Sequence, residues 1–304
     1  MTRLSTVWGA PPRRIAAAGE SPAWERDGRD WPNRAASRFI RAGGMRWHVQ
    51  VMGQGPALLL VHGTGAATHS WRDLAPLLAE RFTVIAPDLP GHGFSDCPPA
   101  HLLSLPAMAQ GLASLLAVLD ARPVLAAGHS AGAAILARMC LDQMIAPAAL
   151  VSLNGALLPL TGLPGHVFAP AARFLAALPG VPRLFARRAL DRSLVERLLR
   201  DTGSTIDEAG IALYARLVSH PAHVAATLGM MAKWDLRPLE RDLPRLKTRL
   251  VLVAGGNDRT IPPDDARRIR ALVPGAALHP LPGLGHLAHE ERPAEIAALI
   301  AALA

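Results

Sequence analysis

From about residue 38 onward, two kinds of segment alternate along the chain. Short continuous apolar runs bounded by Gly, Pro and Asp recur as "ALLLVHG" (57–63), "TVIAPDLPGHG" (83–93), "PVLAAGHS" (123–130), "AALVSLNG" (148–155), "TRLVLVAGGND" (248–258) and "AALHPLPGLGH" (276–286). Runs of that length without a polar alternation are the mark of strands covered on both faces. Between them lie segments with helical spacing: "WRDLAPLLAERF" (71–82), "SLPAMAQGLASLLAVLD" (104–120), "AGAAILARMCLDQM" (131–144), "DDARRIRALV" (264–273) and "PAEIAALIAALA" (293–304). Strand, helix, strand in repetition predicts βαβ units and a parallel sheet with helices on both faces. Ahead of them, "RFIRAGGMRWHVQVMG" (38–53) reads as a hairpin turning at Ala42-Gly43-Gly44.

The rhythm breaks once. From about Ala156 to Trp234 the text is helical, interrupted by Pro and free of strand patterns. The expected organisation is therefore an N-terminal tail and segment over 1–37, a core made of 38–155 and 235–304, and a helical cap over 156–234. Within the cap, Val181 to Arg200 reads as a single basic amphipathic helix. Leu184, Phe185, Leu194, Val195, Leu198 and Leu199 share a side, with Arg183, Arg187, Arg188, Arg192 and Arg197 elsewhere. Such a helix suits an anionic membrane surface; a cap helix with a solvated basic face is the more ordinary reading.

Bulk properties narrow the field. The chain has 304 residues, half of them hydrophobic, which suits one large α/β domain with an insert. No stretch approaches the roughly 18 consecutive apolar residues of a membrane span. The first residues lack the apolar core of a secretory signal, so a cytoplasmic location is expected, with the inner-membrane surface as a peripheral site. Cys97 and Cys140 have no CxxC spacing, and neither a disulfide framework nor a metal site is expected. The net charge of +8 is carried almost wholly by arginine. Those arginines are scattered and aromatics are few, which argues against nucleic acid.

Candidate chemistry centres on Gly128-His129-Ser130-Ala131-Gly132, set between an apolar run and a helical run. Strand, Gly-x-Ser-x-Gly, helix is the context of a nucleophile elbow, whose sharp turn presents the serine hydroxyl at the end of the sheet. Serine is a weak nucleophile until a base takes its proton, and the base needs a carboxylate to fix its tautomer. His286 and Asp258 each follow a strand, and the order Ser130, Asp258, His286 is that of a serine-acid-histidine triad. "VHGTG" (61–65) follows the first buried run; Thr64 N–H, with Gly65 second, pairs with Ala131 N–H as expected oxyanion donors. His62 and His92 read as turn braces, and His289 and Glu290 as anchors of the last helix. No cofactor is called for.

These motifs identify the chain as a member of the α/β-hydrolase fold across about 38–304: a mostly parallel central sheet flanked by helices, with a helical cap or lid. "DLPGHGFSD" (88–96) resembles the loop such proteins carry after their fourth strand. A narrower resemblance rests on "WERDGRDWPNRAASRFIRAGGMRWHVQ", "HGTGAATHSWRDLAPLL", "GHSAGAAI", "SLNGALLP" and "LPGLGHLAHEERPAE". Together these resemble the magnesium-chelatase accessory proteins of bacteriochlorophyll-producing bacteria, with Trp24 to Arg34 the most specific part. The resemblance implies a place near magnesium insertion into protoporphyrin, with magnesium-chelatase subunits as partners. It leaves two functions open. One is a serine hydrolase, esterase-like or cleaving a carbon–carbon bond, acting on a small apolar substrate. The other is a non-catalytic protein that binds a tetrapyrrole or docks on the chelatase. Phe168, Phe174, Phe185, Met230, Met231 and Trp234 are candidate linings for a large flat apolar ligand; His129, next to the serine, reads as pointing into the scaffold, with a ligand contact as its alternative.

Overall fold

The computed structural model describes residues 20–159, 178 and 180–304. The expectations for the tail over 1–19 and for Phe168 and Phe174 lie outside the described residues. An eight-stranded sheet runs through the rest: β1 (Ser37–Ala42), β2 (Met45–Met52), β3 (Ala57–Val61), β4 (Thr83–Pro87), β5 (Leu125–His129), β6 (Ala149–Leu153), β7 (Arg249–Gly255) and β8 (Ala277–Leu281). Their spatial order is β1-β2-β4-β3-β5-β6-β7-β8. The β1–β2 hairpin joins antiparallel to β4, and every pairing from β4 through β8 is parallel.

Each expected apolar run is one of these strands; the inner ones are covered on both faces, while β8, at the edge, leaves His279 and Pro280 exposed. Leu58 and Leu60 face one layer with Val84, Ala86, Leu125 and Val151, while Leu59 and Val61 face the other with Ile85, Ala126 and Leu150. The first layer is closed by α2 (Leu74–Ala79) and the last helix (Pro293–Ala301). The second is closed by α3 (Leu105–Val118) and α4 (Ala131–Leu141). α1 (Trp24–Asp27) is a single turn on the outside of the hairpin.

Between β6 and β7 the described residues are helical and strand-free: α5 (Val181–Arg188), α6 (Arg192–Asp201), α7 (Glu208–Val218), α8 (Pro221–Ala232) and α9 (Arg237–Asp242). The single amphipathic helix expected over 181–200 is in fact two. Asp191 leaves the helical conformation and its side chain accepts the Ser193 N–H at 3.0 Å, which starts a new helix at Arg192. The core resumes with α10 (Pro263–Leu272), α11 (Ala288–Glu291) and α12 (Pro293–Ala301).

The insert is fastened to the core. Arg72, buried at its head, pairs with Glu290 of α11 and with Asp207 at the start of α7, and the Tyr214 hydroxyl donates to Glu290 at 2.7 Å. Burial pushes the Glu290 carboxyl up to about 7, against the opposing pull of Arg72. The Trp24 to Arg34 segment is a second fastening. Trp24 stacks edge-on against Phe39 and Phe94, with the Arg34 guanidinium 4.2 Å over its ring. Trp31 is buried and donates to Thr68 Oγ1 at 3.0 Å. Asp30 receives both terminal nitrogens of Arg216 from α7, at 2.6 and 2.8 Å. The segment thus ties the hairpin to the insert.

Candidate active site

The candidate residues sit where the parallel strands β3, β5, β7 and β8 end, on the carboxyl edge of the sheet where open α/β folds bind their ligands. Ser130 lies between β5 and α4 with φ 50° and ψ −117°, a conformation that L-residues with a side chain rarely adopt. Close packing holds it there. A Cβ on Gly132 would collide with the Val61 carbonyl, and one on Gly128 would come within 2.5 Å of the Ala133 nitrogen. The Ser130 N–H donates to the Leu153 carbonyl at 3.1 Å, tying the elbow to β6. His129 and Ala131 are buried while Ser130 is only half-buried, so the strained turn turns its one hydroxyl outward.

Asp258 and His286 meet. The two are buried, and His286 Nδ1 donates to Asp258 Oδ2 at 2.8 Å. The carboxylate is saturated by three further donors: Asn154 Nδ2 on Oδ2 at 2.6 Å, and the N–H groups of Thr260 and Ile261 on Oδ1 at 2.8 and 2.9 Å. Four donors and no acceptor surround this one carboxyl. They leave it one direction in which to hold an imidazole. Among the described residues no side-chain hydrogen bond joins Ser130 to His286; such contacts are commonly loose before substrate arrives.

Asn154 was not singled out in the sequence, although "SLNG" contains it. It follows β6 with φ 46°, and its amide nitrogen bridges Asp258 and the Gly285 carbonyl at 3.3 Å. Both neighbours accept, which assigns the nitrogen to that side. A polar residue at the carboxyl end of a buried strand was the only signal available.

The other loop supplies N–H groups. After β3, Ala66 N–H donates to the Gly63 carbonyl at 3.2 Å, closing a turn with Thr64 and Gly65 at its centre. Gly65 has φ +80°, the third-position geometry of a type II turn, which glycine takes without strain. The Thr64, Gly65 and Ala131 N–H groups have no acceptor among the described residues. Ala131 is also the first residue of α4, where the helix dipole favours negative charge.

The histidines around the site are largely occupied. His62 Nδ1 donates to the Gly63 carbonyl and its Nε2 accepts the Leu89 N–H at 2.9 Å, a brace between the β3 and β4 loops. His92 Nδ1 donates to the Pro90 carbonyl. Asp88 accepts from His48 at 2.7 Å and from the Thr68 and Phe94 N–H groups at 2.7 and 2.9 Å, joining the same two loops. His129 has two readings from the sequence, scaffold residue and ligand contact. It is buried, its Nε2 donates to the His286 carbonyl at 3.0 Å, and its ring packs between His286 and His289. It is used in the scaffold. Burial, with His289 and His286 beside it, keeps it well below the usual histidine range.

Met230 is fully buried in the core and accepts the Thr64 hydroxyl on its sulfur at 3.5 Å. Trp234 is half-buried against the same core, and Met231 is half-buried. The insert also supports the histidine loop. Thr202 carbonyl accepts the N–H groups of Arg259 and His286, and Ser204 Oγ accepts that of Leu287 at 2.8 Å.

A family model described as the alpha/beta hydrolase family matches residues 58–299, and the chain belongs to that family. It is 41% identical over 263 residues, 86% of this chain and 92% of the relative, to a protein of Rhodobacter capsulatus named magnesium-chelatase 30 kDa subunit. That relative supports the narrower resemblance read from Trp24 onward. A 2-hydroxy-6-oxo-6-phenylhexa-2,4-dienoate hydrolase of Burkholderia cepacia is 24% identical over 81% of this chain and 86% of its own. Among solved structures, an α/β hydrolase fold protein from Burkholderia ambifaria superposes with a TM-score of 0.74 at 27% identity, covering 87% of this chain and 97% of that one.

Proposed function

We propose that the protein is a serine hydrolase acting on an apolar acyl substrate at the magnesium-chelatase step of bacteriochlorophyll biosynthesis, with the helical insert as its cap. In this reading Ser130 Oγ attacks the acyl carbon while His286 Nε2 takes the hydroxyl proton. Asp258 keeps the other proton on Nδ1 and stabilises the imidazolium. The carbonyl oxygen becomes an oxyanion facing the N–H groups of Thr64 and Ala131, with Gly65 adjacent. His286 then returns its proton to the leaving group, and water repeats the sequence to release the acid. The observation that carries the reading is the saturated Asp258 carboxylate aimed at His286, beside a strained half-buried serine and unpaired N–H groups. An isolated turn has no reason to combine these. Whether the bond cleaved is an ester or a carbon–carbon bond is decided by substrate profiling. Turnover of p-nitrophenyl acyl esters by the wild type, abolished in Ser130→Ala with its circular dichroism unchanged, supports the reading. Equal turnover by both proteins overturns it.

A second reading is supported by the name of the Rhodobacter relative: the protein binds a tetrapyrrole or docks on the chelatase without chemistry. A Soret-band shift on micromolar protoporphyrin titration, unaffected by Ser130→Ala, favours it; no shift counts against tetrapyrrole binding.

Its place of work on either reading is the cytoplasm, resting on the anionic inner-membrane surface. No helix among the described residues is long and apolar enough to cross a membrane. The exposed Leu184, Phe185 and Leu190 stand beside exposed Arg187 and Arg188 on the insert, a pattern that lets apolar side chains enter the headgroup layer while the cations stay at it. Flotation with phosphatidylglycerol vesicles, lost in Leu184→Ser/Phe185→Ser, supports this placement. Wild-type protein remaining in the unfloated fraction refutes it.

A further inference from the structure

One residue joins the insert to both loops that border the candidate site. His223 lies on α8 and is 1% exposed. Its Nε2 is 3.1 Å from the Gly65 carbonyl and its Nδ1 is 3.3 Å from the Gly93 nitrogen. Only the tautomer with its proton on Nε2 serves both partners: Nε2–H donates to Gly65 and the Nδ1 lone pair accepts the Gly93 N–H. The ring is therefore neutral and fully used.

What it holds matters more than that it is held. The Gly65 carbonyl belongs to the peptide linking Gly65 to Ala66, and the N–H of that same peptide closes the turn onto Gly63. With both ends bonded, the peptide plane is fixed. The preceding N–H groups of Thr64 and Gly65 then have little freedom to rotate. The same helix face reinforces the point one and two turns on. Thr227 places its methyl 3.6 Å from where a Gly65 side chain would begin, and Met230 receives the Thr64 hydroxyl. Positions 223, 227 and 230 lie on one side of an α-helix. That side of α8 is thus moulded to the turn.

We propose that His223 is a positioning residue for acyl transfer: through the Gly65 carbonyl it pre-sets the turn that presents the Thr64 N–H to the oxyanion, so that seating of the insert and formation of the oxyanion site are one event. The proposal rests on the serine-hydrolase reading. A preset donor stabilises charge that appears only in the transition state, so its loss slows the chemical step and leaves ground-state binding nearly unchanged.

The test is the rate of inactivation by a fluorophosphonate, separated into the covalent rate constant and the reversible inhibition constant. It is run on the wild type, His223→Gln and His223→Asn. Glutamine places an N–H donor near the Nε2 position and keeps the bond to Gly65. Asparagine reaches only the Nδ1 position and loses it. His223→Asn should lower the covalent rate constant by about 10- to 100-fold, somewhat less than deleting an oxyanion donor outright, with the inhibition constant within about threefold of wild type. His223→Gln should stay within about threefold in both. Wild-type labelling by folded His223→Asn overturns the proposal, and so does a His223→Gln as slow as His223→Asn. If His223→Asn does not fold, His223→Gln decides alone: retention supports the proposal and a loss beyond about 30-fold overturns it. Failure of the underlying reading is seen separately and first, as a wild type that does not label, and it removes the proposal with it.

Discussion

Replacing Asp258 by asparagine tests the geometry most severely, because the change is nearly isosteric. The carboxylate accepts four hydrogen bonds, two on each oxygen. An amide group must place its NH2 on one side or the other. Placed at Oδ2, it confronts the donors of Asn154 and His286. Placed at Oδ1, it confronts the backbone N–H groups of Thr260 and Ile261. Either way two charge-assisted bonds become donor-donor contacts, at about 1.5–3 kcal/mol for each hydrogen bond to a charged group. Local relaxation recovers part of this, so a net loss of about 2–4 kcal/mol is expected. The melting temperature should fall by roughly 3–6 °C for a chain of this size. Catalysis should suffer more than folding. His286 can relieve its contact by changing tautomer, whereas the backbone N–H groups of Thr260 and Ile261 can only donate, so the NH2 settles on the Oδ2 side; His286 then turns its lone pair toward residue 258 and its N–H toward Ser130, and cannot accept the serine's proton. The expected fall in kcat is about 10⁴-fold at neutral pH, or about 5.4 kcal/mol of transition-state stabilisation, with KM nearly unchanged. The assays are steady-state ester hydrolysis and calorimetry on the same preparation. A variant retaining more than about a tenth of wild-type kcat would show that Asp258 does not set the tautomer of His286 in catalysis.

Other outcomes follow from the packing and charges. Gly132→Ala should abolish soluble expression, since its Cβ meets the Val61 carbonyl in the centre of the sheet; a folded, active variant would refute the account of the elbow. Arg72→Met should cost about 3–5 kcal/mol by leaving Glu290 buried without its cation. Burial already raises that carboxyl to about 7, and the neutral acid needs no cation, so the deficit measured by urea unfolding should shrink from pH 8 to pH 6. His62, His69, His92, His129, His223 and His289 are all held below the usual histidine value chiefly by burial, His223 to about 4 and His289 to about 3. The folded state therefore binds fewer protons than the unfolded chain between about pH 6.5 and those lowered values, and stability is lost as pH falls through that window. Each ring contributes up to about 1.4 kcal/mol per pH unit, outweighing the opposite effect of the single Glu290. Urea midpoints that stay flat from pH 7 to pH 5 would refute this.

The core was legible because a parallel sheet covered on both faces leaves an unmistakable trace: an apolar run such as Leu58 to Val61 or Leu250 to Ala254 admits no polar alternation. The order Ser130, Asp258, His286 was legible for a related reason, since each residue stands just past a strand end. The insert was harder. Its helical character shows in the sequence, but the Asp191 cap that divides 181–200 is a single residue inside an otherwise continuous amphipathic pattern. Met230 reads as a ligand-lining methionine from composition, yet its position on α8 turns it into the core. Asn154 and His223 escaped because their importance lies in what they bond across the fold. The Asn in "SLNG" shows only as a polar residue at a strand end and the His in "PAHVAAT" only as one ring on a helix, and neither tells what it bonds.

The central claim is that Ser130 is an activated nucleophile facing a formed oxyanion site. Intact-mass measurement after fluorophosphonate treatment, on the wild type and on Ser130→Ala, tests it most directly. The account predicts one adduct per wild-type chain, mapped to Ser130 by peptide sequencing and absent from the variant. A folded wild type that stays unmodified, or an adduct that persists in Ser130→Ala, would contradict it.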